Sequence, residues 1–277
     1  MDAIRATFNR LRLDRRAALM PFIMAGDPSP SVTGPLLLAL QDAGADLIEV
    51  GVPFSDPLAD GPVIQAASAR ALKQGATPRR VLEIIGSVRS QLRVPVLLLS
   101  YWNPLLQFAG TSRHDGAPHS LHAFARAAHE QGIDGLIIPD LPLEEHGLWC
   151  RAVKGTTLDT VLLATPTSPA ARLRAIARAS QGFIYYVSVT GTTGARQALP
   201  PNLVQGIRQL RLLTTKPLCV GFGISTPHQA AEVARIADGV IVGSALVREI
   251  AEARTRAASV HRAAAFIRQL RRAIGNP

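Results

Sequence analysis

Two carboxylates eleven positions apart, Glu49 and Asp60, are the residues of this sequence best placed to move protons. Glu49 interrupts the apolar run Asp46-Leu47-Ile48-Glu49-Val50. That run breaks at Gly51 and Pro53 into a loop carrying Asp56 and Asp60, and a helical pattern starts at Pro62. A carboxylate inside a buried strand is costly unless it is paired, neutralised or used. At the C-terminal end of a parallel strand it would stand where α/β folds keep their active sites; the plain alternative is an acid that caps a loop. If environment separates their pKa values, Glu49 in an apolar wall is the proton-transfer group. Asp60, on a Pro- and Gly-rich loop, then stays ionised to stabilise developing positive charge.

A second group is built from small residues. Gly194, Gly221, Gly223 and the pair Gly243-Ser244 follow successive apolar runs late in the chain. Such turns let backbone N–H groups approach an anion, and a helix starting at Ser244 adds its positive end. After the last two strands of a barrel this is a phosphate site; the alternative is tight turns and nothing more. No Lys or Arg falls inside the turns themselves, so backbone dipoles are expected to hold the anion.

What is missing narrows the chemistry. The three lysines, Lys73, Lys154 and Lys216, do not fall at strand ends, which disfavours Schiff-base aldol chemistry. The seven histidines lie on helices or in the polar segment 109–118, and none pairs with a strand-end carboxylate, so no metal site is expected. A glycosidase would also use two acids but wants aromatic platforms, and only 5% of the chain is aromatic. What remains is a phosphorylated substrate handled by acid–base catalysis.

The elements needed to bring these residues together can be read from the pattern. Eight short apolar runs, at 18–23, 47–50, 94–99, 135–138, 160–163, 183–187, 217–220 and 239–242, are each followed by a helical stretch. Continuous apolar strands are covered on both faces, as in parallel sheets. Eight βα units in series predict an α/β fold, a (β/α)₈ TIM barrel with an extra N-terminal helix over 2–11 and extra helical segments. No compositional boundary divides the 277 residues, so one domain over 1–277 is expected. Residues 101–104 and 109–118 read as loops, and one long helix closes the chain.

Composition sets the remaining bounds. A hydrophobic fraction of 47% with 18% charged residues fits a globular core. No apolar run reaches membrane-spanning length, and the N-terminus lacks a secretory pattern, so a cytoplasmic protein without membrane attachment is expected. Cys150 and Cys219 have no metal or redox spacing. The net charge of +10 concentrates in arginines near the C-terminus (Arg248, Arg254, Arg256, Arg262, Arg268, Arg271, Arg272). Without interleaved aromatic residues this reads as a solvated basic face, and no nucleic-acid partner is expected.

Taken together, Pro21-Phe22-Ile23 with Ala25 through Pro28, Glu49 through Asp60, Asp140-Leu141-Pro142, Tyr185 through Gly194, Gly221 through Ser225 and Gly243-Ser244 resemble the tryptophan synthase α chain family. They cover nearly the whole chain in order. The run Glu-Val-Gly-Val-Pro-Phe-Ser-Asp-Pro-Leu-Ala-Asp-Gly is highly specific; the glycine turns alone would be weak. The resemblance implies cofactor-free retro-aldol cleavage of indole-3-glycerol phosphate to indole and glyceraldehyde 3-phosphate. It assigns catalysis to Glu49, Asp60 and Tyr185. Phe22 and Leu99 would wall the indole, while Gly194, Gly223, Gly243 and Ser244 would hold the phosphate. Thr193 would close over Asp60 as part of a lid. It further implies a β subunit containing pyridoxal phosphate, which receives indole in an α₂β₂ heterotetramer, with Asp56, Pro57, Asn103 and Pro142 facing it. Two other roles stay open, a stand-alone lyase and a non-catalytic regulator that binds phosphorylated ligands. A longer 109–118 segment, Met24 where the family often has threonine, and the basic charge depart from the family pattern.

Overall fold

Every apolar run forms a strand, and every strand is parallel to its neighbours. The computed structural model describes residues 3–109, 116–187, 202–221 and 223–275. It opens with α1 (Ala3–Leu13), β1 (Ala18–Met24), α2 (Pro30–Asp42) and β2 (Ile48–Gly51), followed by α3 (Pro62–Lys73), α4 (Pro78–Val88), β3 (Val96–Leu99) and α5 (Trp102–Leu106). Next come α6 (Gly116–Glu130), β4 (Gly135–Ile137), α7 (His146–Ala152), β5 (Asp159–Ala164), α8 (Ala170–Ala179), β6 (Ile184–Val187) and α9 (Leu203–Arg211). The chain ends with β7 (Leu218–Gly221), α10 (Pro227–Ala234), β8 (Gly239–Val242), α11 (Ser244–Ala251) and α12 (Arg256–Ile274). The strands form a closed barrel in sequence order, with β1 paired to both β2 and β8. Closure leaves no strand edge to solvent.

Two apolar layers follow from strand alternation. Ile48, Val50, Val96, Leu98, Ile184 and Tyr186 pack outward against the helices. Met20, Phe22, Leu47, Leu97, Leu99, Phe183, Tyr185, Cys219 and Ile241 fill the barrel. The extra N-terminal helix plugs the bottom of this inner layer. Ile4 is fully buried, and the Phe8 ring lies 5.7 Å from that of Phe183. The N-terminal mouth is thereby sealed with side chains, and the C-terminal mouth is left for chemistry.

Four details differ from the sequence reading. Residues 102–106 form a helix rather than a loop: Asp140 Oδ1 accepts from Trp102 N at 2.8 Å, and Pro104 sits in the first turn, where its missing N–H is harmless. The closing helical pattern is two helices, because Thr255 Oγ1 accepts from Ala258 N at 3.1 Å and caps a new start. The C-terminal arginines are not one solvated face. Arg271 Nη1 lies 2.7 Å from Asp46 Oδ2, and Arg262 pairs with Glu249 and Glu252. The segment 109–118 was read as a loop; its last residues already belong to α6, and 110–115 lie outside the described residues.

Candidate active site

Glu49 faces the barrel interior because Leu47, two residues earlier and just before the strand begins, packs in the inner layer. Its neighbours in register are Phe22 on β1 and Leu97 on β3, both apolar. The residue is 1% exposed, and Oε2 has no hydrogen-bond partner among the described residues. Loss of water without replacement disfavours the charged form. Burial first, and the nearby Asp60 second, raise the carboxyl pKa to about 8. Glu49 therefore carries a proton at neutral pH.

Asp60 is presented by a loop pinned at both ends. Ser68 Oγ, on α3, accepts from Phe54 N and donates to Phe54 O, both at 2.8 Å. Tyr101 Oη accepts from Ala59 N at 3.0 Å. Gly61 then caps α3, with Pro62 at its first position, where a fixed φ helps. Burial raises the Asp60 pKa to about 6, opposed by a hydrogen bond from the Tyr101 side chain. One carboxyl is thus neutral and the other ionised at pH 7, a poise suited to donating a proton at one atom while holding positive charge at another.

The strands β6 to β8 supply the opposite wall. Tyr185 points inward and Tyr186 outward. Burial, then Glu49, push the Tyr185 hydroxyl well above its ordinary pKa, so it stays neutral. A side chain at Gly221 would run into that hydroxyl. Gly223 has φ +84°, a conformation that favours glycine. The following turn is held by a capping box between Thr226 and Gln229. Gln229 Oε1 also accepts from Ser225 N at 2.8 Å and from Ser225 Oγ at 3.1 Å. After β8, Gly243 caps α11, which begins at Ser244 and turns its first free N–H groups toward the barrel mouth.

These walls line one cleft with about 70 Å³ of room for water-sized groups. Phe22, Glu49, Asp60, Leu99, Tyr185, Gly223, Gly243 and Ser244 all line it. Thr193 and Gly194 lie outside the described residues. Two further residues stand at the site. Tyr101 was read only as part of a loop, although a tyrosine immediately past a strand end was a usable signal. Arg248, read as part of a solvated basic face, is exposed; it stands one helical turn beyond Ser244, outside the turns themselves, and also lines the cleft.

The Phe22 ring occupies space that only a glycine at 51 leaves open. A Cβ on Gly51 would sit 2.6 Å from Phe22 Cζ and 3.0 Å from Met24 Cε. Gly51→Ala is expected to cost about 1–3 kcal/mol, the usual penalty for overpacking. It should also weaken ligand binding as the ring swings into the cleft. Urea denaturation and a KM measurement check both effects.

Comparison with known proteins agrees with this geometry. The family described as "Tryptophan synthase alpha chain" matches residues 8–275. The tryptophan synthase alpha chain of Geobacter sulfurreducens is 45% identical over 276 residues, covering 100% of both chains. That of a Synechococcus strain is 46% identical over 273 residues, 98% of this chain and 97% of its own. Among solved structures, the alpha subunit from Legionella pneumophila superposes with a TM-score of 0.88 at 38% identity, covering all of both chains. A Mycobacterium tuberculosis tryptophan synthase gives 0.86 at 34% identity, over 99% of this chain and 98% of that one. A family match over almost the entire length, relatives near 45% identity and a shared barrel leave one conclusion: the chain belongs to the tryptophan synthase alpha chain family.

Proposed function

We propose that this chain cleaves indole-3-glycerol phosphate to indole and glyceraldehyde 3-phosphate in tryptophan biosynthesis, with Glu49, Asp60 and Tyr185 as its catalytic residues. The observation that carries the reading is the poise of the acid pair. A buried Glu49 with a pKa near 8 shares a cleft with an Asp60 near 6, opposite the Gly223 and Gly243-Ser244 turns.

The neutral Glu49 donates its proton to C3 of the indole ring, and the positive charge that develops at the ring nitrogen is held by ionised Asp60, which accepts the N–H. The ring is now the electron sink. As the bond between C3 and the glycerol carbon breaks, its electron pair restores the indole. The Glu49 carboxylate recovers a proton from the adjacent glycerol hydroxyl as that carbon becomes an aldehyde. Glu49 ends protonated as it began, so no external acid, base or cofactor on this chain enters the balance. Tyr185 orients the hydroxyl during that second transfer. Phe22 and Leu99 flank the ring, and the N–H groups at Gly194, Gly223, Gly243 and Ser244 hold the phosphate. Thr193, outside the described residues, would close over Asp60 as part of a lid, as the family resemblance implies.

The whole chain, 1–277, acts as one domain in the cytoplasm. It works with a β subunit that carries pyridoxal phosphate, as half of an α₂β₂ heterotetramer. Leu58, 91% exposed beside Pro57 and Asp56, supports a docking surface on the loop that carries Asp60, and Asn103 and Pro142 are exposed as well. Among the described residues no helix is long and apolar enough to cross a membrane.

Indole release from indole-3-glycerol phosphate, measured with and without a β chain, tests the assignment. Slow release that rises with the partner fits a subunit whose lid the partner closes. Fast release without it makes the chain a stand-alone lyase, and binding without turnover in either case makes it a regulator instead. The pH dependence of kcat/KM should be bell-shaped, rising as Asp60 ionises near pH 6 and falling as Glu49 loses its proton near pH 8. A profile flat from pH 5 to 9 would contradict these roles.

A further inference from the structure

We infer that Arg248 is the phosphate-recognition cation of this cleft: its guanidinium supplies the counter-charge that the glycine and serine turns lack, and it selects phosphorylated substrates over their uncharged analogues. The inference deepens the proposed function and rests on the same reading of the cleft.

Three observations converge on it. Arg248, itself exposed, stands at the mouth of the cleft that Gly223, Ser225, Gly243 and Ser244 also line, and it is the one cation among the described lining residues. It stands four residues after Ser244 on α11, so the two share a helix face. Helical side chains lean back toward the N-terminus, which carries a long arginine from position 248 over the first turn of α11, where the free N–H groups are.

The third observation concerns where its charge does not go. Glu252, at i+4, is the ordinary helical partner for an arginine at 248, and Glu249 is adjacent in sequence. Both are engaged by Arg262: Nη2 reaches Glu249 Oε2 at 2.8 Å and Glu252 Oε2 at 3.1 Å, and Nε reaches Glu249 Oε2 at 3.0 Å. No hydrogen bond or ion pair among the described residues uses the Arg248 guanidinium. Glu49 and Asp60, the acids lining the cleft, come from β2 and its loop, across β1 from the β7 and β8 turns. The cleft is therefore polarised, with its acids on the β2 side and its cation on the β8 side. A substrate with a ring nitrogen at one end and a phosphate dianion at the other matches that polarity. A planar guanidinium can hold two phosphate oxygens at once, whereas the helix N-terminus supplies only partial charge.

Steady-state kinetics of the full chain with its β partner, comparing wild type, Arg248→Gln and Arg248→Lys, test this. With indole-3-glycerol phosphate, Arg248→Gln should raise KM about tenfold and leave kcat within about twofold, the signature of lost uniform binding. Arg248→Lys should recover most of the loss. With indole-3-glycerol lacking the phosphate, Arg248→Gln and wild type should be indistinguishable, a result that a merely structural role would not give. An unchanged KM for the phosphorylated substrate, or an equal loss with both substrates, overturns the inference. Isothermal titration with inorganic phosphate separates it from the reading on which it rests. If wild type makes no indole yet binds phosphate and Arg248→Gln binds it about tenfold more weakly, Arg248 keeps its role and the lyase assignment falls. Equal phosphate binding by the two overturns the role of Arg248 alone.

Discussion

Replacing Glu49 by glutamine is expected to lower indole release at least about 10³-fold while leaving the protein folded and more stable at neutral pH. The activity loss follows from removing both proton transfers at once, since general acid–base catalysis contributes roughly 10²–10⁴-fold. Glutamine keeps the shape and fits the same apolar surroundings. The stability gain comes from linkage. In the fold the carboxyl titrates near 8, against 4.5 for the ordinary group, so the native state holds its proton more tightly than the unfolded chain does. Its stabilising contribution is complete below pH 4.5 and is lost as pH rises toward 8. At pH 7 the difference between the two pKa values amounts to roughly 3 kcal/mol, at about 1.36 kcal/mol per pH unit. Glutamine has no proton to lose. Guanidinium denaturation of wild type and Glu49→Gln at pH 4.5 and pH 8 should show equal stability at the lower pH and a gap of a few kcal/mol at the higher. Undiminished turnover would remove Glu49 from the mechanism. A gap of the same size at both pH values would remove the buried proton.

Asp60→Asn is expected to lower kcat by about 10²–10³-fold with a smaller change in KM, because the charge it removes matters most once the ring nitrogen has become positive. Asparagine can still accept from the N–H through its carbonyl, so ground-state recognition largely survives. Tyr101 would also continue to pin the loop through Ala59 N. The substitution should remove the acid limb of the pH profile, since the group titrating near 6 is gone. If that limb persists unchanged, it belongs to the substrate phosphate, whose second ionisation also lies near 6. A fall in kcat/KM caused by KM alone would make Asp60 a binding residue only.

Much of the architecture was legible because its causes are local. Continuous apolar strands of three to seven residues separated by amphipathic helices have few packing solutions, and eight of them in series favour a closed barrel. The strand-end position of Glu49 and the glycine turns followed from the same alternation. The errors arose where a distant residue completes a local structure. The helix at 102–106 is capped by Asp140, from beyond β4, and no window around Trp102 contains that carboxylate. The break before α12 is marked in the sequence by Thr255, but the apolar period continues across it.

The site divides along the same line. Residue types, their order and their places at strand ends are properties of the sequence, and these alone pointed to acid–base chemistry on a phosphorylated substrate. Family membership was carried by the specific run from Glu49 to Gly61. What tertiary structure decided is the electrostatics. Glu49 retains its proton because strands β1 and β3 surround it with Phe22 and Leu97. Asp60 is tuned by a tyrosine forty-one positions away. Arg248 faces the cleft while Arg271, on the next helix, is bound to Asp46 and Arg262 occupies the two glutamates nearest Arg248. A sequence states which charges exist. Their solvation and their partners depend on what the fold brings within a few ångströms, and desolvation and pairing are what set a pKa or leave an arginine available.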